Sequence, residues 1–143
     1  MKLSEAATKS IELSAKVLEY YERELPKFHP NYPLINPDDS EPAPPPEEAE
    51  LREFLEVLSP ETIYQLYLIK NIGCYVYKVN EMNEHYQELL SMYPKKEWTL
   101  TILARNVTLA DDLRDGIEIL REAGFDVDTL PLPKPKKRSV QKR

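Results

Sequence analysis

A chain of 143 residues with 41% apolar and 31% charged side chains has the length of one domain and enough apolar surface for a single core. Three glycines are too few for the turns of a β-sandwich or barrel, one cysteine excludes an intramolecular disulfide, and no run nears the roughly 18 apolar residues of a bilayer span. The net charge of −6 hides an asymmetry. Six of the 19 basic residues fall in positions 131–143, which hold no acid, so 13 bases and 25 acids remain elsewhere, a net of −12; a body that acidic repels phosphate backbones, and only the tail attracts them.

The first predicted helix starts with Ser4 as its cap. Ala7, Ile11, Ala15, Leu18, Tyr21 and Leu25 follow at steps of three and four, one stripe of an α-helix, which Val17 and Tyr20 widen. Pro26 lacks an N–H and clashes with the preceding turn, so the helix is expected to end at Leu25. Residues 26–46 hold eight of the 13 prolines and form an extended arm, polyproline-like near Pro42 to Pro46. Phe28, Tyr32, Leu34 and Ile35 predict that its first half lies along the core; the acidic part, residues 38–48, is expected to be mobile.

A short helix is predicted over residues 47–58, with Leu51, Phe54, Leu55 and Leu58 on one face. Ser59-Pro60-Glu61 restarts the chain as a helix: Ser59 caps, and Pro60 takes the first position, where its missing N–H does no harm. The helix from Pro60 to Gly73 is apolar nearly all round and reads as the central one. After Gly73, Val76, Val79, Met82, Tyr86, Leu89, Leu90 and Tyr93 form a second stripe out of phase with the first, so two helices are expected to meet at a bend. Residues 72–79 are also compatible with a strand, given Tyr75, Val76, Tyr77 and Val79. Residues 98–107 are ambiguous between helix and strand.

Thr108-Leu109-Ala110-Asp111 has the spacing of an acidic capping box. Leu113, Ile117 and Leu120 continue that helix, Gly116 lies on its inward side, where another helix can approach, and Gly124 suits a left-handed C-terminal residue. Phe125, Val127 and Leu130 should fold back on the bundle. The expected product is all-α: an irregular bundle of five to six helices in one domain, residues 1–130, with the Pro-rich arm at 26–46 and a disordered basic tail at 131–143. The N-terminus carries no apolar stretch of signal type, so the expected location is cytoplasmic.

Candidate chemistry is sparse. His85 stands at helical spacing from Glu81 and Glu88, but a metal site needs three or more converging ligands, and the other histidine, His29, is expected to be a turn residue in the arm. Cys74 would be an activated nucleophile if a helix began at it; a buried structural thiol is the competing reading. Asp111, Asp112 and Asp115 could do acid–base work or hold a divalent ion, but acids in a first helical turn also serve the helix dipole. Six of the nine tyrosines, Tyr64, Tyr67, Tyr75, Tyr77, Tyr86 and Tyr93, crowd the central helices; tyrosine is enriched at interfaces, and Tyr67, Tyr75 and Tyr77 are the candidate partner-binding residues. In the tail, Lys134, Lys136, Lys137 and Arg138 are candidate anion or nucleic-acid contacts, without aromatics for base stacking.

Asn36-Pro37-Asp38-Asp39 in the arm, Leu58-Ser59-Pro60-Glu61 opening a helix that ends at Gly73, and the spacing of Leu109, Leu113 and Gly116 resemble a bacterial family of small helical domains of unknown function. The resemblance implies a helical fold and brings no activity. Three functional readings follow: a non-catalytic protein-interaction or adaptor module, homodimer included; a nucleic-acid or ribonucleoprotein-associated protein acting through its tail; and, least favoured, an enzyme using Cys74 or the aspartate cluster. No cofactor or metal is expected.

Overall fold

The protein was described from a computed structural model, which describes residues 1–34, 36–40 and 42–130. Six α-helices follow in order: α1 (Leu3–Phe28), α2 (Pro46–Glu56), α3 (Pro60–Gly73), α4 (Met82–Leu90), α5 (Glu97–Arg105) and α6 (Leu109–Glu122), with 3-10 turns at Val79–Glu81 and Val127–Thr129. The fold is all-α, an irregular bundle, with no strand among the described residues. Residues 98–107 thus resolve to helix, and residues 72–79 to a helix end, a turn and a 3-10 turn.

The centre is α3, whose Ile63, Tyr64, Leu66, Leu68, Ile69 and Ile72 are buried. Its start follows the predicted grammar: Ser59 Oγ accepts from Thr62 N at 3.2 Å, and Pro60 occupies the first helical position. Against it lies α6, and two glycines set the distance between them. A Cβ on Gly73 would stand 1.8 Å from the Asp112 carbonyl oxygen, and one on Gly116 2.1 Å from that of Ile69. Both obstacles are backbone, so the two helices cross closer than any side chain allows. Helix α1 covers this pair, with Ala6, Ala7, Leu13 and Val17 buried.

Several ends differ from expectation. Helix α1 begins one residue before Ser4, which instead donates its N–H to Asp128 Oδ1 at 2.8 Å and its hydroxyl to Oδ2 at 2.7 Å. The carboxylate that satisfies the first turn therefore comes from the far end of the chain. The helix also runs through Pro26 to Phe28, with His29 N donating to Leu25 O; a proline in the last turn removes one ladder bond, and little helix remains beyond it to disrupt. The cap of α6 is not the predicted box: Thr108 makes no side-chain bond to its own helix's first N–H groups. Asn106 Oδ1 accepts from Thr108 N and Asn106 Nδ2 donates to Asp112 Oδ2, while the single Thr108 hydroxyl proton is shared between Asn106 Oδ1 at 2.9 Å and Asp112 Oδ2 at 3.1 Å. At the other end Gly124 is left-handed at φ 93°, and Phe125 N and Gly124 N donate to Leu120 O and Arg121 O, the paired bonds of a Schellman cap. Val127 is buried, with Phe125 and Leu130 packed on the core, as the fold-back predicts.

The arm packs in the opposite sense to the prediction. Tyr32 and Leu34 are exposed, and Ile35 lies outside the described residues. Pro42 and Pro45 are the buried members, and the Tyr20 hydroxyl holds the Ala43 carbonyl at 2.6 Å. His29 opens the turn after α1 as expected, its carbonyl accepting from Tyr32 N at 3.0 Å, while its side chain is 0% accessible, with Nδ1 3.4 Å from Asp39 Oδ2. Pro45 has the polyproline dihedrals expected in this stretch, φ −74° and ψ 158°.

Candidate functional site

Helix α5 turns Thr99, Leu100 and Leu103 inward. Three- and four-residue steps then place Trp98, Thr101, Ile102 and Arg105 along its outer face. Across from it, α3 leaves Tyr67 and Lys70 only partly covered. The Trp98 and Tyr67 rings meet at 6.2 Å between centroids, inclined at 61°.

The turn after α3 completes the surface. The Asn71 carbonyl accepts from both Val76 N and Tyr77 N, which reverses the chain. Tyr75 takes a left-handed φ of 65°, a conformation that costs a non-glycine residue roughly 1–2 kcal/mol. That reversal sends Tyr75 and Val76 into solvent, 82% and 64% exposed, and returns Tyr77 onto Tyr67, 6.3 Å away and nearly perpendicular. Tyr77 in turn lies flat on His85, at 3.7 Å and 5°. His85 is flanked by Glu88 at 3.2 Å and Glu81 at 3.8 Å, the carboxylate–imidazole–carboxylate edge that the spacing suggests. Burial, together with the neighbouring Tyr67 hydroxyl, raises the Tyr77 phenol above its ordinary range. Trp98, Tyr67, Tyr77 and His85 thus form an unbroken series of ring contacts, and Trp98 at its end is 59% exposed.

Of the three candidate partner-binding tyrosines, Tyr67 and Tyr77 come together and Tyr75 projects beside them. The remaining central tyrosines have other roles. Tyr64 is buried and donates to the Lys95 carbonyl at 2.7 Å; Tyr86 is buried, which pushes its phenol up to about 12. Trp98 and Arg105 escaped the sequence reading because residues 98–107 were undecided between helix and strand, and Lys70, on the central helix, had no partner to mark it until α5 was placed across from it. The spacing of Trp98 and Arg105, two helical turns apart, was the available signal.

The other candidates do not assemble. Cys74 terminates α3 instead of starting a helix, and its Sγ rests 3.8 Å from the Asn71 carbonyl and side-chain oxygens. Asp111 pairs with Arg114, Asp112 belongs to the Asn106 and Thr108 network, and Asp115 is exposed. No group of three metal-ligating side chains converges among the described residues. Lys134, Lys136, Lys137 and Arg138 lie outside the described residues. No helix among those described is long and apolar enough to cross a membrane.

Two hollows flank α5. A groove of about 1140 Å³ runs between α1, the arm and α2, walled by Leu18, Tyr21, Leu25, Tyr32, Pro42 and Pro45. Its rim carries both signs, Glu22 and Glu48 with Arg52 and Arg105, and so selects neither. A cleft of about 750 Å³ on the aromatic side is lined by Trp98, Lys70, Arg105, Glu97, Thr101 and Asn106. Comparison with family models, with curated proteins and with solved structures finds no match for this chain.

Proposed function

We propose that the protein is a non-catalytic interaction module that docks a protein partner, a second copy included, on the aromatic face. The supporting observation is the continuous ring series from Trp98 to His85 with Tyr75 and Val76 projecting beside it. Large rings deliver much contact area with few rotors to immobilise, and anchors of this kind dominate binding energy at interfaces. The strained Tyr75 backbone favours the same reading, because a left-handed tyrosine held in water contributes nothing to the core and persists at the expense of stability.

The decisive variant is Tyr75→Gly, which removes the ring and relieves the left-handed strain. Glycine's larger unfolded-state entropy offsets part of that relief, so stability should change by less than about 1 kcal/mol. Sedimentation velocity and affinity capture with the full chain should show self-association or a retained partner that Tyr75→Gly and Trp98→Ala lose while their circular dichroism stays native. A strict monomer that retains nothing, or variants that retain the same partner equally well, would refute the module.

A further inference from the structure

The cleft at the Trp98 end of the face gathers two cations, Lys70 and Arg105, beside one carboxylate, Glu97. The body is strongly acidic, and most of its arginines are compensated: Arg23, Arg52, Arg114 and Arg121 each stand against a carboxylate. Arg105 makes no ion pair or hydrogen bond among the described residues. Lys70, from α3, reaches only the neutral Asn71 amide at 3.1 Å. Arg105 is thus the one arginine among the described residues without an ion pair, and it lines the same cleft as Lys70.

The third component is the indole. Trp98 and Arg105 are seven residues apart on α5, so they share a face with roughly 10 Å of axial rise between them. A ring stacked on the indole and an anion on the guanidinium would be separated by about the length of a nucleoside monophosphate. Lys70 approaches from the facing helix to share the anion, and guanidinium and ammonium groups both bind phosphate strongly. Thr101 lies between the two ends, and Glu97, beside the indole, supplies an acceptor for ring amines or sugar hydroxyls. The cleft's volume of about 750 Å³ is within the usual range for a small-ligand site.

From this arrangement we infer that the cleft between α3 and α5 binds a small planar-ring anion of mononucleotide size, its ring on Trp98 and its phosphate on Lys70 and Arg105. Size follows from charge. A polynucleotide would bring many phosphates against the acidic body, whereas one phosphate engages the two cations and little else. The cleft shares Trp98 with the docking face, but Lys70 and Arg105 line the cleft and Tyr75 stands only on the face, so the two roles separate by variant.

Trp98 is the only tryptophan, so tryptophan emission comes from the ring end of this cleft. Adenosine monophosphate titrated into the full-length protein should change that emission saturably, with half-saturation at about 1 mM or below. Adenosine alone and inorganic phosphate alone should each bind at least about tenfold more weakly, because each makes only half the contacts. Calorimetry should show a similar loss for Lys70→Gln combined with Arg105→Gln, with native circular dichroism and with Tyr75→Gly binding as wild type. The inference is overturned by a linear, non-saturating response, by equal binding to the double variant, or by a short oligoadenylate binding more tightly than the monophosphate.

Discussion

Three polar side chains show how single groups set stability here. Thr99 Oγ1 is buried with no hydrogen-bond partner among the described residues. Desolvating a hydroxyl without compensation costs about 1–3 kcal/mol, and valine has nearly the same shape. Thr99→Val should therefore stabilise the protein by about 1 kcal/mol, read as a higher denaturation midpoint at an unchanged urea slope. Lys96 is the converse case. Its ammonium donates to the Glu56 and Leu58 carbonyls and so completes the C-terminal end of α2, where cations also meet the helix dipole favourably. Tyr86 carries a pH dependence. Burial pushes its phenol up to about 12 from the usual 10, so the folded state holds the proton more tightly than the unfolded chain. Its contribution is complete below pH 10 and is lost as pH rises from about 10 towards 12. Stability measured over that interval should fall in the wild type and fall less steeply in Tyr86→Phe. None of these three effects is legible in the sequence, because each depends on what a distant segment places over the side chain.

Between elements, the crossing of α3 and α6 is the most constrained contact. Gly116→Ala puts a methyl group 2.1 Å from the Ile69 carbonyl oxygen, and Gly73→Ala puts one 1.8 Å from that of Asp112. Neither oxygen belongs to a side chain that can rotate away, so the helices must separate along their length. Each variant should lose about 3 kcal/mol, seen as a lower melting temperature, while Gly124→Ala loses less because its Cβ meets nothing within 4 Å and only its left-handed φ is strained. The same crossing shows what the sequence could reveal. The inward position of Gly116, the Ser59-Pro60 start and the Gly124 stop are local signals, written within one turn of where they act. The union of Ser4 with Asp128, 124 residues apart, and that of Lys96 with the end of α2 have no local signature. The candidate site divides in the same way: Tyr67 and Tyr77 stood out by composition, but the cleft needed α5 to be a helix before Trp98 and Arg105 could share a face. The Asp128 contact also has a pH signature. Hydrogen bonds from Ser4 hold its carboxyl below the usual range, so the tie is complete above the unfolded value near 3.8 and is lost as pH falls through the lower folded value. The hydrogen-exchange protection of the first turn of α1, taken relative to the intrinsic rate at each pH, should fall across that acid interval, and in Asp128→Ala it should be low at every pH.

For the molecule as a whole, net charge is the dominant unpaired quantity. Residues 1–130 carry a net of −12, which the tail's six cations reduce to −6. Surface ion pairs such as Arg114 with Asp111 and Arg121 with Glu118 are exposed, and pairs of that kind are individually worth roughly 0–1 kcal/mol. They do not offset a general surplus of carboxylates on a body this small. Self-repulsion of that surplus favours the expanded chain, and salt screens it: the screening length falls from about 30 Å at 0.01 M to about 10 Å at 0.1 M. Sodium chloride should therefore raise the melting temperature of the full chain, against the weakening expected where isolated surface pairs dominate. Deleting residues 131–143 leaves the buried core residues in place and doubles the magnitude of the net charge, so it should lower the melting temperature at low salt and steepen the rise with added salt, the two chains converging near 1 M. A truncated chain whose melting temperature follows salt no more steeply than the full one would mean that local pairs, and not the overall field, govern the electrostatics of this fold.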